Sequence, residues 1–359
     1  MADALRRAGL GGRVVRIAVD SNGFLTVGAL VLTYPAAGPQ ARAGLESLVG
    51  SALRAVFEAV PSLDELDVTV LRSGPRAGGK AGQEPVFTAA VSQREYRSAT
   101  SAAAEEWVRS LPRTWVAQSV SPFTPPPLRT DPGSSPPPLR SLAERARELP
   151  DRVRGFVSGR VVGGVLYRGS PRRRAVALTF DDGPEPLYTP LLLDILDRLG
   201  VRATFFLVGR RAEQYPYLAR AVVSAGHEVG NHGYRHVSLP GLSEVGLDDE
   251  LRRAQRAIEQ SAGQRPAYLR PPGGRYDRRV VKAASQLDLV TVLWTDGPGD
   301  YTGLDPERLK VQLLSRVYSG GILLLHQGTP NTLKVLPEVV SVLRRLGYQV
   351  TTVSGLLGR

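Results

Sequence analysis

Two adjacent carboxylates, Asp181 and Asp182, close an apolar run over residues 175–180 that has the character of a buried strand. Gly183 and Pro184 break the extended backbone directly after them, so both acids are presented at the strand's C-terminal end. Like charges held this close stay ionised together only with a cation beside them. The chain has four histidines, at 227, 232, 236 and 326. His232 and His236 are four residues apart, a spacing that puts two imidazoles on one face of a helical turn. With one carboxylate from the strand end they form a two-histidine, one-carboxylate set that leaves coordination positions open for water and substrate. His227 falls inside a strand and is read as a core residue.

These residues need a scaffold that brings them together. From residue 174 onward, strand-like and helix-like segments alternate. Strands are expected over 174–180, 203–207, 227–230, 267–269, 289–294, 321–326 and 349–353, and amphipathic helices over 189–199, 214–225, 243–262 and 333–346. Repeated β-α units predict a parallel sheet, and seven such strands predict an α/β fold, an incomplete seven-stranded (β/α) barrel, in which chemistry belongs at the strands' C-terminal ends. Asp181 and Asp182, His232 and His236, Arg270, Asp300 and His326 all fall on that one rim.

The barrel follows a different region. Residues 14–20 and 24–34 read as a hairpin around Ser21-Asn22-Gly23. Leu45, Leu48, Leu53, Val56, Phe57 and Val60 recur at helical spacing up to Pro61. Strands over 66–71 and 86–91, a loose glycine-rich loop over 73–82 and a second helix carrying Trp107 complete a small α+β domain over residues 1–118, with no histidine and no acidic cluster to suggest a role. Residues 119–140 form a linker in which Pro125-Pro126-Pro127-Leu128-Arg129 recurs as Pro136-Pro137-Pro138-Leu139-Arg140, a composition that favours extended polyproline conformation. A helix with a charged face over 141–154 leads into the second domain, residues 141–359.

Composition narrows the classes. The 359 residues are 42% hydrophobic and 22% charged, with a formal net charge of +12 and only four lysines among 46 basic residues. Such a balance suits anionic surroundings such as wall polymers, but the arginines are scattered without interleaved aromatics, which argues against nucleic acid. No apolar run is long enough to span a membrane. Cysteine is absent, which removes disulfides and thiolate chemistry. Residues 1–12 lack the apolar core of a signal peptide. The expected place is the cell envelope or the exterior, with the export signal missing from this sequence, or else the cytoplasm.

The rim residues resemble those of the polysaccharide deacetylases, carbohydrate esterase family 4, also called the NodB-homology domain. Five motifs stand in the family's order: Thr-Phe-Asp-Asp-Gly-Pro at 179–184, Asn231-His232-Gly233-Tyr234-Arg235-His236, Arg270-Pro271-Pro272-Gly273-Gly274, the segment from Trp294 to Tyr301, and Leu323-Leu324-Leu325-His326. The resemblance implies that Asp182, His232 and His236 hold a divalent metal, zinc first and cobalt or another first-row ion as alternatives. It implies Asp181 as general base, His326 as general acid, Arg270 as the cation orienting Asp181, the Gly273 N–H as oxyanion donor, and Asp300-Tyr301 as the end of the fourth motif. The expected partner is a glycan polymer. The expected reaction is removal of N-acetyl groups from an amino-sugar polymer, peptidoglycan or a chitin-like glycan. The alternatives are hydrolysis of an O-acetyl ester or small amide, or a non-catalytic glycan-binding wall protein.

Three departures carry expectations of their own. Gly233 stands where the family has Ser or Thr, which removes a hydroxyl from the metal loop. Gly273 stands where an aromatic is frequent, which opens a wall of the sugar groove. Gly297 takes the place of the acid that pairs with the catalytic histidine, so His326 is expected to lack that partner unless Asp296 supplies it. Adjacent side chains of an extended segment face opposite sides, which counts against Asp296.

Overall fold

The computed structural model describes residues 1–35, 41–72, 85–99, 104–116, 151, 153–297 and 299–358. The loop over 73–82, the linker over 119–140 and most of the helix expected over 141–154 lie outside these described residues. The chain divides into two compact units.

The first unit is α+β. β1 (Val14–Ser21) and β2 (Thr26–Tyr34) form the expected antiparallel hairpin, with Ser21 opposite Thr26. The Ala41–Ala59 helix then crosses over to β3 (Glu65–Arg72), which is parallel to β2, as such pairing requires. β4 (Pro85–Ser92) and β5 (Thr114–Val116) follow antiparallel, giving the order β1-β2-β3-β4-β5. β5 was beyond the reach of periodicity because three residues are too few to alternate. Leu30, Leu32, Val68 and Val70 pack against Leu45, Val49, Leu53 and Phe57 of the helix. Glu46 on that helix is buried between Arg42 and Arg109, at 2.9 and 2.6 Å.

The second unit is the (β/α) barrel. Its strands are β6 (Val165–Leu166), β7 (Ala175–Gly183), β8 (Thr204–Leu207), β9 (Glu228–Asn231), β10 (Tyr268–Leu269), β11 (Val290–Val292), β12 (Gly321–His326) and β13 (Gln349–Thr351). They run parallel in the order β12-β7-β8-β9-β10-β11-β6, with β13 beside the first half of β7. The seven expected strands are present, and β6 is an eighth, too short to leave a pattern. β7 is central, buried on both faces, which is why its sequence is an unbroken apolar run rather than an alternating one. Leu166, Ala177, Phe206, Tyr268, Val292 and Ile322, each from a different strand, fill the interior. Outside, Leu247 and Leu251 of the Glu244–Ala262 helix pack with Leu269, Val280 and Leu289. The sheet curls until the residues beyond β11 reach β12: the Thr295 N–H donates to the Ile322 carbonyl at 2.9 Å and the Leu324 N–H to the Asp296 carbonyl at 2.9 Å.

The helix expected over 214–225 is two shorter ones, Gly209–Gln214 and Pro216–Ser224, interrupted where Pro216 ends the first. Arg278–Ser285, Pro306–Ser315 and Val353–Leu357 are further helices the hydrophobic spacing did not single out.

Phe205 is fully buried, its ring centroid 5.2 Å from that of Phe180 and 5.1 Å from that of His227. Phe205→Ala should lower the unfolding free energy by about 3–5 kcal/mol. Urea denaturation checks this, and a loss below about 1 kcal/mol would show that the neighbours close the cavity.

Candidate metal centre and active site

Asp181 and Asp182 end β7, His232 follows β9, Arg270 follows β10 and His326 ends β12, all at C-terminal strand ends. Parallel register sets His326 directly opposite Asp181 on the neighbouring strand. Ligand-donor atoms of Asp182, His232 and His236 all lie within 4.8 Å of one another. Asp182 Oδ1 is 3.4 Å from His232 Nε2 and 3.1 Å from His236 Nε2. That oxygen is buried and has no hydrogen-bond partner, which is costly unless a cation sits among the three atoms. His232 Nδ1 is 2.6 Å from the Arg270 carbonyl. This bond fixes the proton on Nδ1 and leaves the Nε2 lone pair turned to Asp182. One oxygen and two imidazole nitrogens suit zinc and other first-row divalent ions.

The electrostatics agree with this geometry. Burial alone would raise the Asp182 carboxyl, but the two imidazoles beside it outweigh that and hold it well below the usual carboxylate range. The Asp182 carboxylate 3.1 Å away conversely raises His236, against the opposing effect of burial.

His232 and His236 do not share a helical turn. They lie on a loop, with φ +76° at Gly233 and +59° at His236, and the helical spacing therefore has no bearing on how they meet. Glycine suits position 233 because an L side chain is strained at that angle. The loop is held from below. Asn231 Oδ1 accepts the Gly233 N–H at 2.9 Å, and the Asn231 amide donates to the Leu251 carbonyl and to Gln255, both at 3.1 Å. Buried Glu250 accepts the Arg235 N–H at 2.6 Å and its Nε at 2.8 Å. Asn231 adjoins the motif, but nothing in the sequence marked Glu250 or Gln255, since both belong to a helix with no other part in the site.

Arg270 is completely buried. Its Nη1 donates to Asp181 Oδ1 at 2.7 Å and to Thr179 Oγ1 at 2.8 Å, and its guanidinium carbon lies 4.1 Å from the Phe206 ring centroid. Thr179 Oγ1 donates in turn to the Leu323 carbonyl at 2.6 Å. The other Asp181 oxygen, Oδ2, lies 3.7 Å from His232 Nε2. Asp181 is thus oriented from behind, with its second oxygen beside the candidate metal position.

His326 does have a carboxylate partner, contrary to the expectation drawn from Gly297, and the partner is Asp300. Asp300 Oδ1 is 2.8 Å from His326 Nδ1, and Oδ2 accepts the His326 N–H at 2.8 Å and the Thr332 hydroxyl at 2.9 Å. Thr329 donates to the same oxygen at 3.2 Å. The physical reason is that the segment after β11 is not extended: Gly299 has φ +70° and opens a short turn, Asp300–Thr302, that carries Asp300 to His326. Asp296 lies elsewhere, its backbone bridged to β12 and its carboxylate buried, with Oδ1 4.0 Å from Arg316 and Oδ2 without a hydrogen-bond partner. Burial by itself would lower His326, but the bond to Asp300 and the nearby charges of Asp181 and Asp182 more than reverse this and raise it.

Tyr301 is 67% exposed, its ring edge-on to His326 with centroids 5.0 Å apart. Gly273 is exposed with φ +61°, and a Cβ there would meet only Arg275 Cγ, at 4.0 Å, so the rim is open at this point. A Cβ on the next residue, Gly274, would come within 2.6 Å of the Trp294 ring, so the indole lies against this loop. His227 is buried and pushed down to about 4 by that burial, and its Nδ1 accepts the Ala203 N–H at 3.1 Å. It is a buried structural histidine, as expected, although it stands just before β9 rather than inside it.

The polysaccharide deacetylase family model matches residues 168–292. A peptidoglycan-N-acetylglucosamine deacetylase of Bacillus cereus is 34% identical over 200 residues, which is 54% of this chain and 93% of that protein. A chitooligosaccharide deacetylase of Bradyrhizobium is 33% identical over 192 residues, 49% of this chain and 88% of that protein. Among solved structures, a family 4 carbohydrate esterase pseudoenzyme from Bacillus anthracis is 33% identical, with a TM-score of 0.52 over 54% of this chain and 68% of that one. The parallel barrel, the motif order and the extent of these matches together establish that this chain belongs to the polysaccharide deacetylase family, through the NodB-homology domain formed by its second unit.

Proposed function

We propose that the chain is a metal-dependent N-deacetylase of an amino-sugar polymer in the bacterial cell envelope, with peptidoglycan or a chitin-like glycan as substrate. The observation that carries this reading is the meeting of Asp182, His232 and His236 around a buried, unpartnered carboxylate oxygen, with Asp181 and His326 in register beside it. The relatives named for peptidoglycan and chitooligosaccharide deacetylation support the substrate class. The net charge of +12 suits an anionic wall.

Asp182, His232 and His236 would hold the metal, zinc by the character of its donors. Such an ion, when bound, supplies Lewis acidity, acidifying water and polarising a carbonyl. Asp181, oriented by Arg270, accepts a proton from the attacking water as that oxygen bonds to the acetyl carbon. The Gly273 N–H is the candidate donor to the carbonyl oxygen as it gains charge. His326 gives its proton to the sugar nitrogen as the C–N bond breaks, releasing acetate and the free amine. Tyr301 forms part of the sugar-facing rim. The pseudoenzyme relative makes a decayed, glycan-binding site the second reading. It is disfavoured because the three candidate ligands, the candidate base and the candidate acid are all present and adjoin one another.

Acetate release from a panel of acetylated glycans, with and without a chelator, tests the reading directly. The wild type should release acetate and lose that activity with the chelator. His232→Ala and His236→Ala should lose the metal. Asp181→Asn should keep it but turn over about 100- to 10,000-fold more slowly. Metal content undiminished in both histidine variants would remove the site.

The pH profile tests the acid. A general acid works only while protonated, and Asp300 raises His326, so activity should persist to higher pH than an isolated imidazole allows. Asp300→Asn should therefore move the alkaline limb to lower pH, and an unmoved limb would mean that another group donates the proton.

The domain boundaries belong to the same proposal, with residues 1–118 as a separable domain, 119–140 as a linker and 141–359 as the catalytic part. A fragment spanning 141–359 should fold and deacetylate a short soluble substrate. A folded but inactive fragment would assign the first domain a part in the site.

A further inference from the structure

Two of the three candidate metal ligands hold backbone angles that L residues avoid: φ is +71° at Asp182 and +59° at His236. Such conformations persist only where the surroundings over-determine them. The two ligand loops leave different strands, β7 and β9, with β8 between them. Val208, after β8, and the first turn of the Gly209–Gln214 helix supply no ligand, yet they bond to both loops. The Val208 N–H donates to the Gly183 carbonyl at 2.8 Å. The Gly209 N–H donates to the Gly233 carbonyl at 2.9 Å and the Arg210 N–H to the Tyr234 carbonyl at 3.0 Å. Arg211 Nη1 donates to the Asp182 carbonyl at 3.1 Å and is paired with the Glu185 carboxylate, three residues past Asp182. Gly209 permits this approach, since a Cβ there would come within 2.6 Å of the Ala254 backbone.

We infer that the segment from Val208 to Arg211 is the staple that sets the spacing between the Asp182 loop and the His232–His236 loop, and that Arg211 is its positioning side chain, holding the strained Asp182 peptide in its ligating orientation. This rests on the metal reading above. Two effects compete in any test. Arg211 is a cation near the metal position, and its charge alone would weaken metal binding; the Glu185 carboxylate cancels that charge. Positioning predicts that removing Arg211 loosens the metal, whereas a purely Coulombic role predicts that removal tightens it.

The experiment is zinc competition against a chromophoric chelator, using the full chain and no substrate, with thermal unfolding of the metal-free protein as the folding control. Arg211→Ala should weaken zinc binding by about 10- to 100-fold, the usual effect of losing a group that orients a metal ligand, with the metal-free melting temperature little changed. Arg211→Lys, which keeps a donor and the charge but not the fork, should recover part of the loss. If Arg211→Ala does not fold, Arg211→Lys decides the matter, since a purely Coulombic role predicts wild-type zinc affinity there and positioning predicts weaker binding. Zinc affinity equal to or tighter than wild type in Arg211→Ala, or unchanged in Arg211→Lys when that variant has to decide, overturns the inference. A wild type that binds no zinc while folded would instead overturn the metal reading, and this inference with it.

Discussion

The buried pair between Arg270 and Asp181 is the constraint on which the site depends. A guanidinium with no exposed surface is tolerated only if its charge is met, and burial pulls Arg270 below its ordinary value despite the carboxylate. That charge is met by Asp181, with Thr179 and the Phe206 ring beside it, from strands β7 and β8, while Arg270 itself follows β10 and its Nε has no hydrogen-bond partner. Removing one member of such a pair typically costs about 3–5 kcal/mol because the other is left buried and alone. The pair therefore ties the first and third motifs through the barrel interior and fixes which way Asp181 can point. Because the Arg270 carbonyl also fixes the proton of His232 at 2.6 Å, one residue orients both the candidate base and a candidate ligand.

Much of this could be read in the sequence because parallel barrels concentrate chemistry on one rim. With the apolar run ending at Phe180 as a buried strand, Asp181, Asp182, His232, Arg270 and His326 all fall at C-terminal strand ends, where they are found. Two readings failed for a common reason, which is glycine. Regular spacing put His232 and His236 on one helical turn, and an extended reading carried on from Asp296 left His326 without its acid. Positive φ at Gly233 and, beyond the bridge at Asp296, at Gly299 ends both regularities. A sequence shows that a glycine is present but not the direction in which it turns the chain, and the partner of His326 was settled by that direction.

The supporting residues were illegible for another reason. Glu250, Gln255, Thr329 and Thr332 occupy ordinary positions on helices or at a helix start, and their role comes from which loop lies above them. Helix periodicity predicts that a residue is buried; it does not predict what a buried carboxylate or hydroxyl will hold. Glu250 would pass for a charge on an amphipathic helix, yet it is buried because it accepts the Arg235 backbone N–H beside His236.

A count of formal charge brings these strands of argument together. Within the site, Asp181, Asp182 and Asp300 carry three negative charges, and Arg270 and protonated His326 two positive, a formal excess of one negative. The neighbouring cations do not change the balance, since Arg211 is paired with Glu185 and Arg235 with Glu250. That excess lies at the end of β7, where the donor atoms that would receive a cation are the three that converge on the unpartnered oxygen of Asp182. The proton on His326 then has Asp300 as its own counter-charge, so the acid side of the reaction does not draw on the carboxylates that serve the metal and the water. Two carboxylates at the end of β7 and one at the turn before Tyr301 thus divide the work, and what separates them is the cation each one faces.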